Sequence, residues 1–293
     1  MKGLIIENIS NLYKIKVENK IFEAIPRGRL KKEEIIPVVG DNVEIEIIDE
    51  GNKKAVINEI LKRDVYIKRP KLANITQIVF VVSSKNPKPD LLMLDKQLAF
   101  AEFLNVKSII VLNKIDLDRK DDFKEITNIY KKIGYKVIQT QAKELIGIDE
   151  LKSNLKNNIN AFSGNSGVGK STLINGIFNK EITKEGEISK KNKKGKNTTT
   201  AIKLYEMDIN TYIADTPGFS TFDISEISSS ELHKYFKEFR ESIRNCEFVG
   251  CTHIKEEKCG IKRAIEEGKI HPDRYERFCK IYNELKEREE RKW

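Results

Sequence analysis

The sequence predicts a multidomain α/β chain. It reads as a small N-terminal β-barrel, a doubly wound α/β domain for a nucleotide, and a helical C-terminal domain built around a metal. Three observations carry this. Five short strand patterns fill the first 70 of 293 residues; apolar strands then alternate with helices and with phosphate- and base-reading motifs; and three cysteines and a histidine crowd into residues 246–259. The expected boundaries are 1–70, 71–222 and 223–293.

In the first segment, residues 4–7, 12–17 and 21–24 read as strands, with Glu18-Asn19-Lys20 as a hairpin turn. Residues 43–48 alternate, with Val43, Ile45 and Ile47 on one face and Glu44 and Glu46 on the other. Asp49-Glu50-Gly51-Asn52 is a turn, and residues 55–60 form another strand. Five short strands with polar turns suit a Greek-key barrel, an OB-fold in preference to an SH3-like barrel. Such barrels often hold single-stranded nucleic acid.

In the second segment, residues 75–82 and 107–112 are continuous apolar runs, as in parallel strands buried on both faces. A helix is expected at 91–103, a strand at 136–139, a helix at 148–159, an apolar lead into a glycine-rich loop at 159–162, a helix at 171–178 and a strand at 212–214. This is the pattern of a doubly wound sheet.

Gly164-Asn165-Ser166-Gly167-Val168-Gly169-Lys170-Ser171 fits the phosphate-loop pattern in full, between a strand and a helix that continues with Thr172. Backbone N–H groups and the helix N-terminus can cradle phosphates there. Lys170 would reach the β- and γ-phosphates, and Ser171 would ligate Mg²⁺. Asn113-Lys114-Ile115-Asp116 ends a buried strand. A carboxylate at Asp116 can accept from the N1–H and exocyclic amine of guanine, a pair that adenine lacks; the bland alternative is a helix cap. Asp215-Thr216-Pro217-Gly218-Phe219 would place Asp215 near Mg²⁺ and the Gly218 N–H at the γ-phosphate. Phe219 cannot orient an attacking water, so intrinsic hydrolysis should be slow or a catalytic group must come from elsewhere. One of Thr198, Thr199 and Thr200, with Thr199 as the candidate, would offer a hydroxyl to Mg²⁺ when the γ-phosphate is present. The base-reading motif precedes the phosphate loop, the reverse of the usual order, so the chain reads as a circularly permuted P-loop GTPase. The last core motif then lies a short covalent distance from the C-terminal segment, and nucleotide state is expected to reposition that segment relative to the barrel.

Cys246, Cys251, His253 and Cys259 have the local spacing of a closed tetrahedral zinc site. Cys279 lies outside that set and reads as a buried, unliganded thiol, and His233 and His271 as surface or cap residues. The final helix, from residue 273, aligns Tyr275, Phe278, Tyr282 and Leu285 as a packing stripe. The formal net charge is +9, and the excess lies in residues 71–222, with 24 Lys and Arg against 17 Asp and Glu. Much of it is Lys190 to Lys196, which favours a polyanionic partner. No run approaches the ~18 apolar residues of a membrane span, and the N-terminus lacks a signal-peptide pattern. A cytoplasmic monomer with no membrane contact is expected.

Together these motifs resemble the ribosome small-subunit-dependent GTPase A (RsgA) family over nearly the whole chain. The resemblance implies an N-terminal OB-fold, a permuted GTPase domain and a C-terminal helical zinc-binding domain with one zinc ion. It also implies late maturation of the small ribosomal subunit, contact with its rRNA, and hydrolysis of GTP to GDP stimulated by that subunit. In the family's switch loop a His usually stands where this chain has Asn197, which can hydrogen bond but cannot act as a base near neutral pH. The family's Ser-Ala pair behind guanine corresponds to Gln141-Ala142, where the Ala142 N–H would meet the guanine oxygen. A nucleotide-independent rRNA-binding scaffold with a vestigial pocket, and a P-loop enzyme that uses adenine, are the rival readings.

Overall fold

The structure is a computed structural model, and it describes residues 1–28, 30, 36–118, 122–182, 202–215 and 224–291. Strands β1 (Lys2–Ile9), β2 (Leu12–Val17), β3 (Lys20–Pro26), β4 (Asn42–Asp49) and β5 (Lys54–Ile60) run in the order β1-β2-β3-β5-β4 and close through a β1–β4 pairing. The β3–β5 pair is parallel and the other barrel pairs are antiparallel. That parallel contact, across a strand inserted out of order, gives an OB-like closed barrel rather than an SH3-like meander. Ile5, Tyr13, Ile15, Phe22, Val43, Ile45 and Ile57 fill it, from alternate positions as the period-2 pattern requires. A hairpin, β6 (Tyr66–Lys68) and β7 (Lys71–Ala73), leads out of the barrel. Asp41, fully buried, fixes that exit by accepting from Arg63 Nε at 2.7 Å and Nη2 at 2.8 Å.

The α/β unit has strands β8 (Gln77–Ser83), β9 (Lys107–Asn113), β10 (Lys136–Thr140), β11 (Ile159–Ser163), β12 (Lys203–Asp208) and β13 (Thr211–Asp215), in the order β10-β9-β8-β11-β13-β12. All pairs are parallel except β12–β13. Helices α1 (Leu91–Phe103), α2 (Asp122–Ile133), α3 (Ile148–Leu155) and α4 (Lys170–Phe178) connect them. Every residue of β8 is buried, which explains its unbroken apolar run. The expected helix at 148–159 ends at Leu155, because Asn157 takes a positive φ of 57° and the chain turns directly into β11. The chain moves outward from β8 to β10 and returns on the other side at β11. Strand order therefore reverses between β8 and β11, and the crevice at their carboxyl ends is where such sheets bind ligands.

The barrel joins this sheet through β1 and β12, with Glu7 opposite Lys203. Glu7 also pairs with Lys14 at 2.7 Å and Lys203 at 3.4 Å, and Lys16 pairs with Glu206. The C-terminal part departs from the expected run of helices. Residues 224–245 form four 3-10 segments, and the α-helices are α5 (Gly260–Glu266) and α6 (Pro272–Glu290). Short stretches rich in Ser and aromatic residues there pack by single turns. Phe278, Tyr282 and Leu285 of α6 are buried and Tyr275 packs against the same core, as the stripe predicted. Phe236, Phe239 and Phe278 meet with ring centroids 4.9–5.2 Å apart. His271 caps α6, accepting from the Asp273 N–H at 3.3 Å. Among the described residues, no helix is long and apolar enough to cross a membrane.

Candidate active site and metal centre

The phosphate loop sits between β11 and α4, at the point where strand order reverses. Gly169 has φ 100°, and a Cβ there would lie 2.3 Å from Asn113 Nδ2, so only glycine fits. Lys170, the first residue of α4, donates from Nζ to Gly164 O at 2.6 Å and Asn165 O at 3.0 Å. Burial lowers its pKa to about 8. A partly desolvated ammonium held against this loop is placed to exchange carbonyl partners for phosphate oxygens. Ser171 and Thr172 follow in the first turn of α4.

Asn113 joins the two recognition motifs. Its Nδ2 donates to Val168 O in the phosphate loop at 2.9 Å. Its Oδ1 accepts from Thr140 Oγ1 at 3.0 Å and from the Ala142 N–H at 3.2 Å. One buried amide thus ties the ends of β9 and β10 to the loop after β11, and the sequence places these segments up to 55 residues apart. The Ala142 N–H that the resemblance assigns to guanine faces this same amide oxygen. Lys114, at φ 64°, donates to Gly167 O at 2.7 Å and Asn86 O at 2.5 Å and so lies across the phosphate loop. Burial and then the charge of Lys143 lower its pKa. Ile115 opens a 3-10 turn at Ile115–Leu117. Asp116 is exposed in that turn and makes no hydrogen bond to another described residue. In the first turn of α2 the Phe123 N–H donates to Asp118 at 3.1 Å.

Sequence reasoning did not single out Thr140 or the Ser84–Asn86 stretch. Ser84 Oγ donates to Lys114 O at 2.7 Å, and Asn86 O accepts from Lys114. The one available signal was their position at a strand's last residue (Thr140) or just past one (Ser84–Asn86). Asp215 ends β13 at the same edge of the sheet. Asn197, Thr198, Thr199, Thr200, Gly218 and Phe219, with the lysine-rich stretch 190–196, lie outside the described residues.

At the C-terminal centre, the ligand atoms of Cys246, Cys251, His253 and Cys259 all lie within 4.8 Å of one another. His253 Nδ1 is 3.5 Å from Cys246 Sγ and 3.4 Å from Cys259 Sγ. A tetrahedral zinc with bonds of ~2.3 Å to sulfur and ~2.0 Å to nitrogen sets those edges at about 3.5 Å. Burial lowers His253 to about 4, which leaves its imidazole neutral with a lone pair. Burial, followed by the neighbouring cysteines, pushes Cys251 up to about 12, so its thiol is held neutral unless a cation is bound beside it. The Gly260 N–H donates to Cys246 Sγ at 3.3 Å and Tyr275 Oη to His253 O at 2.7 Å. This donor set fits zinc. Cys279 is outside the cluster, as expected, but it is half-buried rather than buried, because it lies at the margin of the face that α6 packs inward.

The family model described as "RsgA GTPase" matches residues 58–225, and the one described as "RsgA N-terminal domain" matches residues 2–57. The chain belongs to the RsgA GTPase family. It is 43% identical to the small ribosomal subunit biogenesis GTPase RsgA of Clostridium novyi (strain NT), over the full length of both chains. It is 38% identical to the protein of the same name from Alkaliphilus metalliredigens (strain QYMF), covering 97% of this chain and 98% of that one. Among solved structures, YjeQ from Thermotoga maritima shares 34% identity with a TM-score of 0.83, over 97% of this chain and 98% of that one. YloQ, a circularly permuted GTPase, shares 29% identity with a TM-score of 0.82, over 98% of this chain and 95% of that one. The motif order and the OB-like barrel read from the sequence are thus those of the RsgA GTPases, and the chain is a GTP hydrolase.

Proposed function

We propose that this GTPase binds the small ribosomal subunit through its rRNA and acts in the subunit's late maturation, with docking stimulating hydrolysis. The observation that carries the nucleotide part is Asn113, which holds the phosphate loop and the guanine-reading turns around one crevice. The relatives' common role in small-subunit biogenesis supports the partner. In this reading Asp116 selects guanine and Lys170 holds the β- and γ-phosphates. Ser171, Thr199 and Asp215 hold Mg²⁺, which neutralises phosphate charge when bound. Gly218 meets the γ-phosphate, and Asn197 contributes a hydrogen bond near the reacting water. Phe219 contributes none, so the subunit completes the water's alignment. The Lys190 to Lys196 segment, the barrel and the zinc module each supply contacts to rRNA phosphates or bases. The protein works as a cytoplasmic monomer. A nucleotide-independent scaffold is disfavoured, since the chain belongs to a GTPase family and carries the phosphate-loop and guanine motifs in its sequence.

The test is GTP turnover by the zinc-loaded protein with and without purified small subunits. Stimulation of tenfold or more is expected, about 1.4 kcal/mol of barrier. Equal rates would contradict subunit-stimulated hydrolysis.

A further inference from the structure

We propose that helix α1 is the non-covalent link between the phosphate loop and the zinc module, with Gln97 as the positioning residue of the loop and the Asp95–Arg274 pair as the joint. The proposal rests on the nucleotide-site reading but not on the ribosomal partner. Asp95 and Gln97 stand two positions apart on α1, so they point to different sides of the helix. Both are buried.

On one side, Gln97 Nε2 donates to Ser163 Oγ at 3.2 Å. Ser163 is the last residue of β11 and directly precedes Gly164. Gly164 has no slack: with φ 152°, a Cβ there would lie 2.3 Å from Val81 O. Gln97, Met93, Gly164 and Asn165 also share the wall of one cleft. The carbonyls that hold Lys170 belong to the next two residues, Gly164 and Asn165. A phosphate that engages Lys170 competes for those bonds and shifts the loop against Gln97.

On the other side, Asp95 accepts from Arg274 Nη1, from Arg277 Nε at 2.5 Å and from Tyr130 Oη at 2.5 Å. Arg274 is itself buried and donates to Glu238 at 2.7 and 3.2 Å. Burial opposes its charge, but Asp95 and then Glu238 raise its pKa well above the usual value. Charges paired this closely in a dry interface have a narrow range of workable geometries. Lys237 and Arg240, both on Glu102, and Lys96 on Glu284 extend the same seam along α1. The residue after Arg274 is Tyr275, whose hydroxyl holds the backbone oxygen of the zinc ligand His253. The path from Gly164 to His253 thus alternates three side-chain hydrogen bonds, Gln97 to Ser163, Arg274 to Asp95 and Tyr275 to His253, with short stretches of backbone, including the part-turn of α1 between Asp95 and Gln97.

Contiguity alone does not establish coupling, and the experiment reads coupling directly. Hydrogen–deuterium exchange is measured on the full-length, zinc-loaded protein, saturated with either GDP or a non-hydrolysable GTP analogue. Saturation keeps differences in affinity out of the readout. In the wild-type chain, exchange across residues 246–260 is expected to differ at least threefold between the two nucleotides. Gln97→Met keeps the side-chain volume and removes the donor; Tyr275→Phe removes one hydroxyl at the far end. Each is expected to bring that difference below 1.5-fold while keeping one zinc per chain, and a variant that fails to fold leaves the other to decide. No nucleotide difference in the wild type, or a full difference surviving in a folded variant, would overturn the link while leaving the nucleotide site intact. Loss of guanine-nucleotide binding in the wild type would remove both readings.

Discussion

Asp116→Asn should weaken GDP binding by about 100-fold or more and raise the affinity for xanthosine diphosphate. The expectation follows from the exposed Asp116, which makes no hydrogen bond to another described residue and lies three residues past the end of β9. Each hydrogen bond to a charged group contributes about 1.5–3 kcal/mol, and two are lost as a charged pair. A hundredfold is ~2.7 kcal/mol. Xanthine carries a carbonyl where guanine carries an amine, and the amide of Asn can donate to it. Nucleotide titration of the two proteins checks this. Unchanged GDP affinity would place the base elsewhere and remove Asp116 from recognition. The scaffold around it should survive, because Asn113 holds the phosphate loop independently of Asp116.

The second large effect is on folding. Removing zinc by a chelator, or substituting Cys251→Ser, should lower the thermal midpoint by roughly 5–10 °C and loosen the C-terminal module. Zinc contributes about 10–16 kcal/mol to isolated finger peptides. Here the Phe236, Phe239 and Phe278 cluster and the Arg274 pairs hold part of the module without it. The net cost is therefore a few kcal/mol, and at this chain length each kcal/mol moves the midpoint by about 2 °C. One zinc per chain by elemental analysis, together with that shift, is the expected result. A metal-free protein with the same midpoint would show that packing alone holds residues 246–259.

These sites were legible in the sequence to different depths. Local chemistry was clear. The phosphate loop, the guanine motif and the cysteine spacing each lie within about fifteen residues, and each carries its physical reason in its own composition. Strands with strict alternation or unbroken apolar runs, such as β4 and β8, were equally clear. What failed was long-range. The parallel β3–β5 pairing depends on how the barrel closes, not on any local pattern. The roles of Thr140 and Ala142 depend on a buried amide at Asn113. Arg274 belongs to no motif, yet it meets Asp95, 179 residues earlier in the chain. That pairing changes the reading of the permuted motif order. The short covalent path from DTPGF to the C-terminal module remains a feature of the sequence, but the described residues also fasten the module to α1.

Because docking is proposed to stimulate GTP cleavage, guanine nucleotide is expected in turn to control attachment to the small subunit. The most direct test is co-sedimentation of the zinc-loaded protein with purified small subunits, with GDP or a non-hydrolysable GTP analogue, over a salt series. Binding at least tenfold tighter with the analogue is expected, with log affinity falling linearly in log salt as phosphate contacts are lost. Equal sedimentation in both nucleotide states would contradict it.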